Sequence, residues 1–160
     1  MKTISLLSVL LQTSQAQQIY DPKEIRSEIN DMTVTCSSTI RLQNVASRFF
    51  LHSMEAGYGS GSGQQVVTCH RSNTENGGLW TVKEADPDTV PEPEVCETGS
   101  PMKCGQIIRL EHMETGKNLH SHSEHKGPIS RKNEVSGFGD DGEGDAHDNW
   151  EVECLDNYGL

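Results

Sequence analysis

Two stretches decide the fold: TCSSTIRLQNVASRFFLHS, residues 35–53, and KCGQIIRLEHMETGKNLHS, residues 103–121. They align without a gap, so residue 104 matches residue 36 at a shift of 104 − 36 = 68 positions. A cysteine, an Ile-Arg-Leu triplet and a Leu-His-Ser triplet all recur at this shift. Farther along, Trp150 matches Trp80 at a shift of 150 − 80 = 70. A shift that is nearly constant over about fifty positions indicates an internal repeat.

Each copy has the pattern of short β-strands. In TIRLQN, residues 39–44, and IIRLEH, residues 107–112, apolar residues alternate with polar ones, as on a half-buried strand. A polar turn follows in both copies. A second strand at RFFLHS, residues 48–53, or KNLHS, residues 117–121, is then predicted to complete a hairpin with the first.

Two further strands are predicted in each copy. One passes through Val67 in the first copy and Val135 in the second, and the last contains Trp80 or Trp150. Because these tryptophans occur once per copy at equivalent strand positions, they are predicted to lie in the core. Four short strands per unit, repeated, favour an all-β protein of the β-trefoil type.

The composition limits the classes of function. The chain has 160 residues and a formal net charge of -11, which argues against binding to nucleic acid or anionic lipid, since both require a basic patch. Hydrophobic residues make up 32% and aromatic residues 5%, which predicts a modest core. The 15 glycines favour a turn-rich β protein over a helical one.

The N-terminus has the order of a secretory signal peptide. Lys2 precedes an apolar stretch at residues 4–11, and polar residues lead to the small residue Ala16. Cleavage after Ala16 would leave 160 − 16 = 144 residues. No later apolar run approaches the roughly 20 residues of a membrane span. The last five residues, 156–160, do not form a retention tetrapeptide, so both residence in the endoplasmic reticulum and export remain open.

The predicted organisation follows from the signal and the repeat. It comprises a signal peptide at 1–16, an N-terminal segment at 17–33, a first repeat at 34–85, an acidic proline-rich connector at 86–101, a second repeat at 102–154 and a tail at 155–160. The connector is expected either to be exposed or to be an ordered loop held by Cys96.

The combined motifs resemble MIR domains, and the pattern is nearest to the stromal cell-derived factor 2 family. They are the paired IRL…LHS segments, GYGSGSGQQ at 57–65, TGKNLHSH at 115–122, and GEGD followed by NW at 142–150. The resemblance runs from about Val34 to about Cys154. It implies a β-trefoil in the lumen of the endoplasmic reticulum, associated with J-domain co-chaperones and the lumenal Hsp70 in quality control of unfolded clients.

The number of repeats departs from this family pattern. A trefoil has three lobes, whereas this chain contains two, with only six residues after Cys154. Two of three lobes would leave strand edges unpaired, which promotes association. Three explanations stay open: a shortened gene product, completion of the fold by a second chain, or an open two-lobe domain.

Five cysteines in an oxidising compartment predict two disulfides and one leftover thiol. We expect Cys36 to pair with Cys104 and Cys96 with Cys154, one of the three pairings that four cysteines allow. Cys69 falls outside the family's cysteine pattern and is expected to be the leftover thiol. The spacing of the five cysteines is not that of a zinc knuckle.

The His-Ser pairs are the candidate site residues. His52-Ser53 and His120-Ser121 occupy equivalent positions, and His122 would share a strand face with His120. Because repeats reuse structural residues, hydrogen bonding within the fold is favoured over ligand contact, and catalysis or metal binding is less favoured still. No catalytic residue, cofactor or metal site is predicted.

An acidic run and a tyrosine in a glycine-rich stretch are two further candidate sites. The acidic run from Asp140 to Asp148 does not fit a calcium loop, because position six counted from Asp141 is Ala146 rather than glycine, and it is expected to be a solvated loop. Tyr58 lies in the glycine-rich stretch, where an exposed aromatic ring is a candidate for contact with a peptide or sugar.

The sequence therefore predicts a non-catalytic lumenal or secreted binding protein that works with J-domain and Hsp70 chaperones. The alternative is a carbohydrate-binding module, in which trefoil lobes carry sugar pockets and Tyr58 or His122 contacts the glycan. An enzyme is not expected, since no complete catalytic set is found.

Overall fold

The computed structural model describes residues 33–128, 131–140 and 143–154. The expected signal peptide at 1–16, the tail at 155–160 and nearly all of the segment 17–33 lie outside the described residues. Within the described ranges, none of the helices has the length and apolar character needed to cross a membrane.

The described structure is all-β, with eight strands and two three-residue 3-10 helices. The strands are β1 (Thr39–Ile40), β2 (Phe50–Gly57), β3 (Gln65–His70), β4 (Trp80–Glu84), β5 (Ile107–His112), β6 (Asn118–Lys126), β7 (Asn133–Phe138) and β8 (Trp150–Glu151). The 3-10 helices are Asn76–Gly78, before β4, and Ala146–Asp148, before β8. Each copy of the sequence repeat thus supplies four strands, and the curled antiparallel arrangement is consistent with a β-trefoil-like fold.

One continuous sheet runs in the order β1-β4-β5-β6-β7-β3-β2, with β8 added to β5. The two copies meet along β4 and β5, which pair from Trp80↔His112 to Glu84↔Ile108. They meet again where β3 pairs with β7, at Gln65↔Gly137 and Val66↔Ser136. Gly137 permits this second junction, since a Cβ there would lie 3.2 Å from the Cβ of Gln65.

The predicted hairpin between the first two strands of each copy is wrong in extent. The β-bridges between these segments are limited to Gln43↔Phe50 in the first copy and Glu111↔Asn118 in the second. The first strand instead pairs with a Trp-containing fourth strand, while the extended hairpins are β2–β3 and β6–β7. Alternating apolar positions identify a strand but not its partner, because any neighbouring strand with a matching apolar face satisfies the same pattern.

The core lies where the two copies join. Its buried members are Trp80, Val82, Ile108, Leu110 and Leu119. Equivalent residues of the first copy are less covered: Leu110 on β5 is 7% exposed, whereas its counterpart Leu42, which follows β1, is 40% exposed. β5 pairs with β4 on one side and β8 on the other, whereas β1 pairs with β4 alone among the described strands. Repeat-equivalent residues therefore differ in burial because their neighbours differ.

The four expected cysteines form the two disulfides, but the expected pairing is wrong. Cys36 pairs with Cys96, and Cys104 pairs with Cys154. Cys69 is a free, exposed thiol. Residues at equivalent positions of a repeat lie in different lobes, so Cys36 and Cys104 are not brought together. Each disulfide instead joins cysteines near the beginning and the end of the same half of the chain.

The connector is ordered around Cys96. The amide of Cys36 donates to the carbonyl of Ser100 at 2.9 Å, and the amide of Gly99 donates to the carbonyl of Cys36 at 3.0 Å. A β-bridge joins Thr35 to Pro101. The chain thus returns to the start of the first copy before the second begins.

His112 is a buried histidine of the core rather than a ligand site. Its ring packs on Trp80 with 5.0 Å between ring centroids, and the residue is 0% exposed. Nε2 lies 3.1 Å from the carbonyl oxygen of Gly77, and Nδ1 lies 2.8 Å from Oγ1 of Thr115. These partners fit a neutral ring in which Nε2–H donates to the carbonyl and Nδ1 accepts from the threonine hydroxyl. Burial lowers the pKa of His112 below its ordinary 6.5, although the Gly77 carbonyl acts in the opposite direction.

This lowered pKa predicts a loss of stability in mild acid. Between the folded pKa and the unfolded pKa of about 6.5, the unfolded chain binds more protons, so the free energy of unfolding falls as the pH falls. The variant H112N, which carries the asparagine found at the equivalent position 44, should lack this component. Urea unfolding from pH 8 to pH 5 measures both chains. The difference between the free energies of unfolding of the two chains should be constant above about pH 7 and change below it. Parallel curves throughout would contradict the assignment.

Candidate functional site

Two groups of histidines and carboxylates, one in each copy, are the candidate sites. The first histidine cluster comprises His52, His70 and Glu75, and the second comprises His120, His122, Asp145 and His147. Both are built from the same parts. A histidine on the second strand of the copy, β2 or β6, meets an acidic residue that immediately precedes the 3-10 helix.

The first histidine cluster lies between β2, the end of β3 and the loop before β4. His52 is 6% exposed, and its Nε2 lies 3.4 Å from Oε2 of Glu75. Nδ1 of His70 lies 3.7 Å from the same oxygen. Nδ1 of His52 is buried without a hydrogen-bond partner. A groove of about 510 Å³ opens beside this cluster, and Glu75 and Glu114 contribute acidic side chains to its wall.

The second histidine cluster is built around a buried carboxylate. His120 is 2% exposed, and its Nδ1 lies 2.8 Å from Oδ1 of Asp148, which is fully buried. Oδ1 of Asp145 lies 3.7 Å from Nδ1 of His120 and 3.3 Å from Nδ1 of His147. The ring of His122 packs edge-on against that of His120, with 5.0 Å between ring centroids. Four polar side chains from β6 and the 3-10 helix therefore face one another.

A capping box brings these residues together. The carboxylate of Asp145 accepts from the amide of His147 at 2.7 Å, and the carboxylate of Asp148 accepts from the amide of Asp145 at 2.7 Å. This reciprocal arrangement fixes the short helix and orients both acids. Asp148 is thus not part of a solvated acidic loop, and that expectation is wrong for this residue. Asp140, by contrast, pairs at the surface with Nζ of Lys117 at 2.5 Å.

The two copies differ at the helix positions. Where the second copy has His147 and Asp148, the first has Gly77 and Gly78. A Cβ at Gly77 would lie 2.5 Å from Nε2 of His52, so the histidine ring occupies the space that a side chain would need. The second copy therefore has a buried carboxylate, Asp148, at a position where the first copy has a glycine.

Both candidate serines hold strands together. The hydroxyl of Ser53 donates to the carbonyl of Val66 at 2.8 Å, and that of Ser121 donates to the carbonyl of Glu134 at 3.1 Å. The two bonds occupy the same place in the β2–β3 and β6–β7 hairpins. Since each hydroxyl proton is directed to the main chain, the His-Ser pairs are not arranged as a nucleophile and its base.

The tryptophans show the same repetition. The indole Nε1–H of Trp150 donates to the carbonyl of Leu119 at 2.8 Å, and that of Trp80 points to the carbonyl of Leu51 at 3.5 Å. The prediction that Trp80 belongs to the core is confirmed, since it is 0% exposed. Trp150 is half-buried against the same core.

Tyr58 joins the two copies. Its hydroxyl lies 3.0 Å from the carbonyl oxygens of both Val67 on β3 and Val135 on β7, so its proton is shared between them. Burial raises the pKa of Tyr58, the hydrogen bond to Val67 lowers it, and the nearby Glu134 adds to the increase. The ring also lines a groove of about 340 Å³ together with Val66 and Pro128. Tyr58 therefore has a structural role in addition to the predicted exposure to a ligand.

Replacing Tyr58 by phenylalanine should lower the free energy of unfolding by about 1–2 kcal/mol, because two carbonyls lose their shared donor while the ring stays in place. Urea unfolding with both disulfides intact measures the change. S60A, which alters an exposed residue of the same glycine-rich stretch, serves as the control and should change stability by less than about 0.5 kcal/mol. Equal stability of Y58F and the parent chain would show that water replaces the hydroxyl.

The sequence identified part of each cluster. The sequence predicts His52, His120 and His122 as candidate site residues. It does not connect them with the other members of the two clusters or with the buried carboxylate, which are His70, Glu75, Asp145, His147 and Asp148. The signal that could have found the second set is the D-x-x-D spacing of a capping box before a repeated tryptophan. No sequence spacing links β6 to that helix, since 146 − 126 − 1 = 19 residues lie between them.

Comparisons with known proteins agree with this architecture. The model of the MIR domain matches residues 49–157. Human stromal cell-derived factor 2 is 46% identical over 125 residues, which cover 78% of this chain and 56% of the relative. The crystal structure of the SDF2-like protein from Arabidopsis thaliana superposes with a TM-score of 0.70 at 41% identity, covering 80% of this chain and 66% of that one.

A more distant structure shares the fold. The protein O-mannosyltransferase complex of Saccharomyces cerevisiae, bound to its sugar donor, matches with a TM-score of 0.62 at 32% identity. The match covers 76% of this chain but only 16% of the transferase chain. The chain spans a little over half the length of the human relative.

Proposed function

The chain belongs to the MIR domain family, and from that membership we propose that it is a non-catalytic binding protein of the secretory pathway. The observation that carries the non-catalytic part is the direction of the Ser53 and Ser121 hydroxyls. Both donate to main-chain carbonyls, so neither is set as a nucleophile. Repeated groups that hold equivalent hairpins are building elements of a scaffold, and function then depends on its surface.

Similarity to stromal cell-derived factor 2 supports a lumenal protein of the endoplasmic reticulum, as does the predicted signal at 1–16. The two disulfides suit an oxidising compartment. As partners we propose J-domain co-chaperones and the lumenal Hsp70, with unfolded proteins as clients. The acidic net charge of -11 favours basic partner surfaces over nucleic acid or anionic membranes.

Affinity capture from the lumen of the secretory pathway tests this proposal. The tagged full-length chain is expressed in cells that form its disulfides, and proteins bound to it are identified by mass spectrometry. Enrichment of J-domain and Hsp70 chaperones that persists in free mannose supports the proposal. Their absence, with a folded bait, contradicts it. Expressing the same chain without its signal, so that it stays in the cytosol, provides the control for binding after cell lysis.

Carbohydrate binding is the second candidate. It is favoured by the resemblance to a mannosyltransferase complex that binds a sugar donor, and by the acidic groove beside the first histidine cluster. Carboxylates such as Glu75 and Glu114 accept hydrogen bonds from sugar hydroxyls.

A glycan array tests this second candidate. The paired variant E75Q/E114Q should lose binding if the groove takes the sugar, while D88N, which alters an exposed acid in the connector, should retain it. Glycan binding that is competed away by free saccharide, together with no capture of chaperones, would favour the lectin function. An array without signal would exclude it.

A further inference from the structure

Four imidazole rings gather on one side of the second copy. The ring of His120 lies 5.0 Å from that of His122 and 5.5 Å from that of His147, measured between ring centroids. His122 in turn lies 5.9 Å from His147 and 5.1 Å from His125. Neutral imidazoles and carboxylates are the preferred nitrogen and oxygen ligands of zinc and related divalent ions.

We propose that the second histidine cluster binds a divalent transition-metal ion, with zinc as the reference ion, through His120, Asp145 and His147. One ligand atom from each of these residues lies within 4.8 Å of the others. His122 lies outside that group, with its ring centroid 5.0 Å from that of His120 and 5.9 Å from that of His147, and would turn toward the ion to become the fourth donor. Nδ1 of His122 is buried without a hydrogen-bond partner, since Glu124 approaches it at 3.1 Å but outside hydrogen-bond geometry.

The spacing requires only side-chain adjustment. Zinc–nitrogen bonds are about 2.0–2.1 Å long, so neighbouring ligand atoms of a tetrahedral site lie about 3.4 Å apart. Asp145 and His147 already meet at 3.3 Å. His147, whose side chain is 49% accessible, can turn toward His120 without disturbing the core. Asp145 is 41% accessible, and one of its carboxylate oxygens caps the helix by accepting from the His147 amide, which leaves the other oxygen for the ion.

The buried Asp148 supplies the second feature of a built metal site. A histidine that binds metal through one ring nitrogen usually donates the N–H of the other to a carboxylate, which fixes the tautomer and the ring orientation. Asp148 is fully buried and lies 2.8 Å from Nδ1 of His120. It holds the proton on Nδ1, so His120 would bind the ion through Nε2. Because the 3.7 Å approach of Asp145 is to Nδ1, Asp145 must reach the Nε2 side of the ring by rotation of its side chain.

The first copy offers an internal comparison. It retains a histidine and an acid at the equivalent positions, His52 and Glu75, but has Gly77 and Gly78 in place of His147 and Asp148. Its other histidine, His70, occupies the position of Phe138 in the second copy. The first cluster therefore lacks the buried orienting carboxylate. We expect one ion per chain, in the second copy.

Zinc titration of the oxidised full-length chain, followed by calorimetry and by NMR of the imidazole nitrogens, tests the proposal. The expected result is one bound ion per chain, with shifts at His120 and His147. H147A removes an exposed ligand and should weaken zinc binding at least tenfold, while D148N should weaken it about 10–100-fold by releasing the His120 ring. H70F, which gives the first copy the phenylalanine of the second, is the matched control and should bind zinc like the parent.

Three outcomes would overturn the proposal: no binding at about 1 mM zinc, equal affinity in H147A and the parent chain, or loss of binding in H70F. The amide spectrum of each variant reports whether it is folded. If D148N unfolds, H147A still decides, because the His147 side chain is 49% accessible and its truncation should leave the fold intact.

Discussion

Replacing Trp80 by alanine should lower the free energy of unfolding by about 3–5 kcal/mol, the largest effect of any single side chain in the core. Trp80 is 0% exposed and lies on β4, the strand that joins the two copies. Its removal leaves a cavity bounded by Val82 and the ring of His112, and the paired β4 and β5 cannot close it without breaking their register. Urea unfolding of the oxidised protein measures the loss.

The repeat supplies the control for this experiment. Trp150 is the equivalent residue of the second copy, yet it is half-buried and its strand β8 has only two residues. W150A should therefore destabilise the fold by about 2 kcal/mol, made up of lost burial and the lost hydrogen bond to Leu119. Equal losses in W80A and W150A would show that the junction between the copies is not the centre of the core.

Removing the disulfide between Cys36 and Cys96 should cost about 4 kcal/mol of stability. The two residues are 60 positions apart, and a cross-link that closes so long a loop strongly restricts the unfolded chain. The variant C36A/C96A is compared with the parent by urea unfolding under non-reducing conditions. C69A is the matched control, because that thiol is free and exposed, and its stability should change by less than about 0.5 kcal/mol.

Peptide mapping of the oxidised parent distinguishes the observed pairing from the one expected from sequence. Digestion should release one linked fragment that contains Cys36 and Cys96 and another that contains Cys104 and Cys154. A fragment linking Cys36 to Cys104 would contradict the structure. It would also remove the basis for the predicted loss in C36A/C96A.

The sequence predicted what depends on local periodicity. Alternating apolar residues identified the first strand of each copy, and the repeat placed three further strands at equivalent positions in both copies, including those of Trp80 and Trp150. These features follow from neighbouring residues alone, since a strand needs only its own two faces to be recognised. Membership of the MIR domain family, suggested by the same motifs, is confirmed by the match to residues 49–157.

The remaining features depend on which strands and loops meet. Cys36 and Cys104 look like partners because they are equivalent, but equivalence in a repeat implies separation in space. Likewise, His120 and Asp148 are 148 − 120 = 28 positions apart and meet only because the helix before β8 folds against β6. Such contacts are set by topology, which periodicity does not encode.

The two disulfides have a mechanical consequence for the described part of the chain. Tension applied at residues 36 and 154 passes from Cys36 directly to Cys96, and from Cys104 directly to Cys154. Only residues 97–103, between the two cross-links, lie on the load path. At about 3.4 Å per residue, the 104 − 96 = 8 steps from Cys96 to Cys104 span about 27 Å when fully stretched, after which neither repeat can be unravelled without reduction. A machine that threads polypeptides through a narrow pore would have to break these bonds before the chain could pass as a single strand.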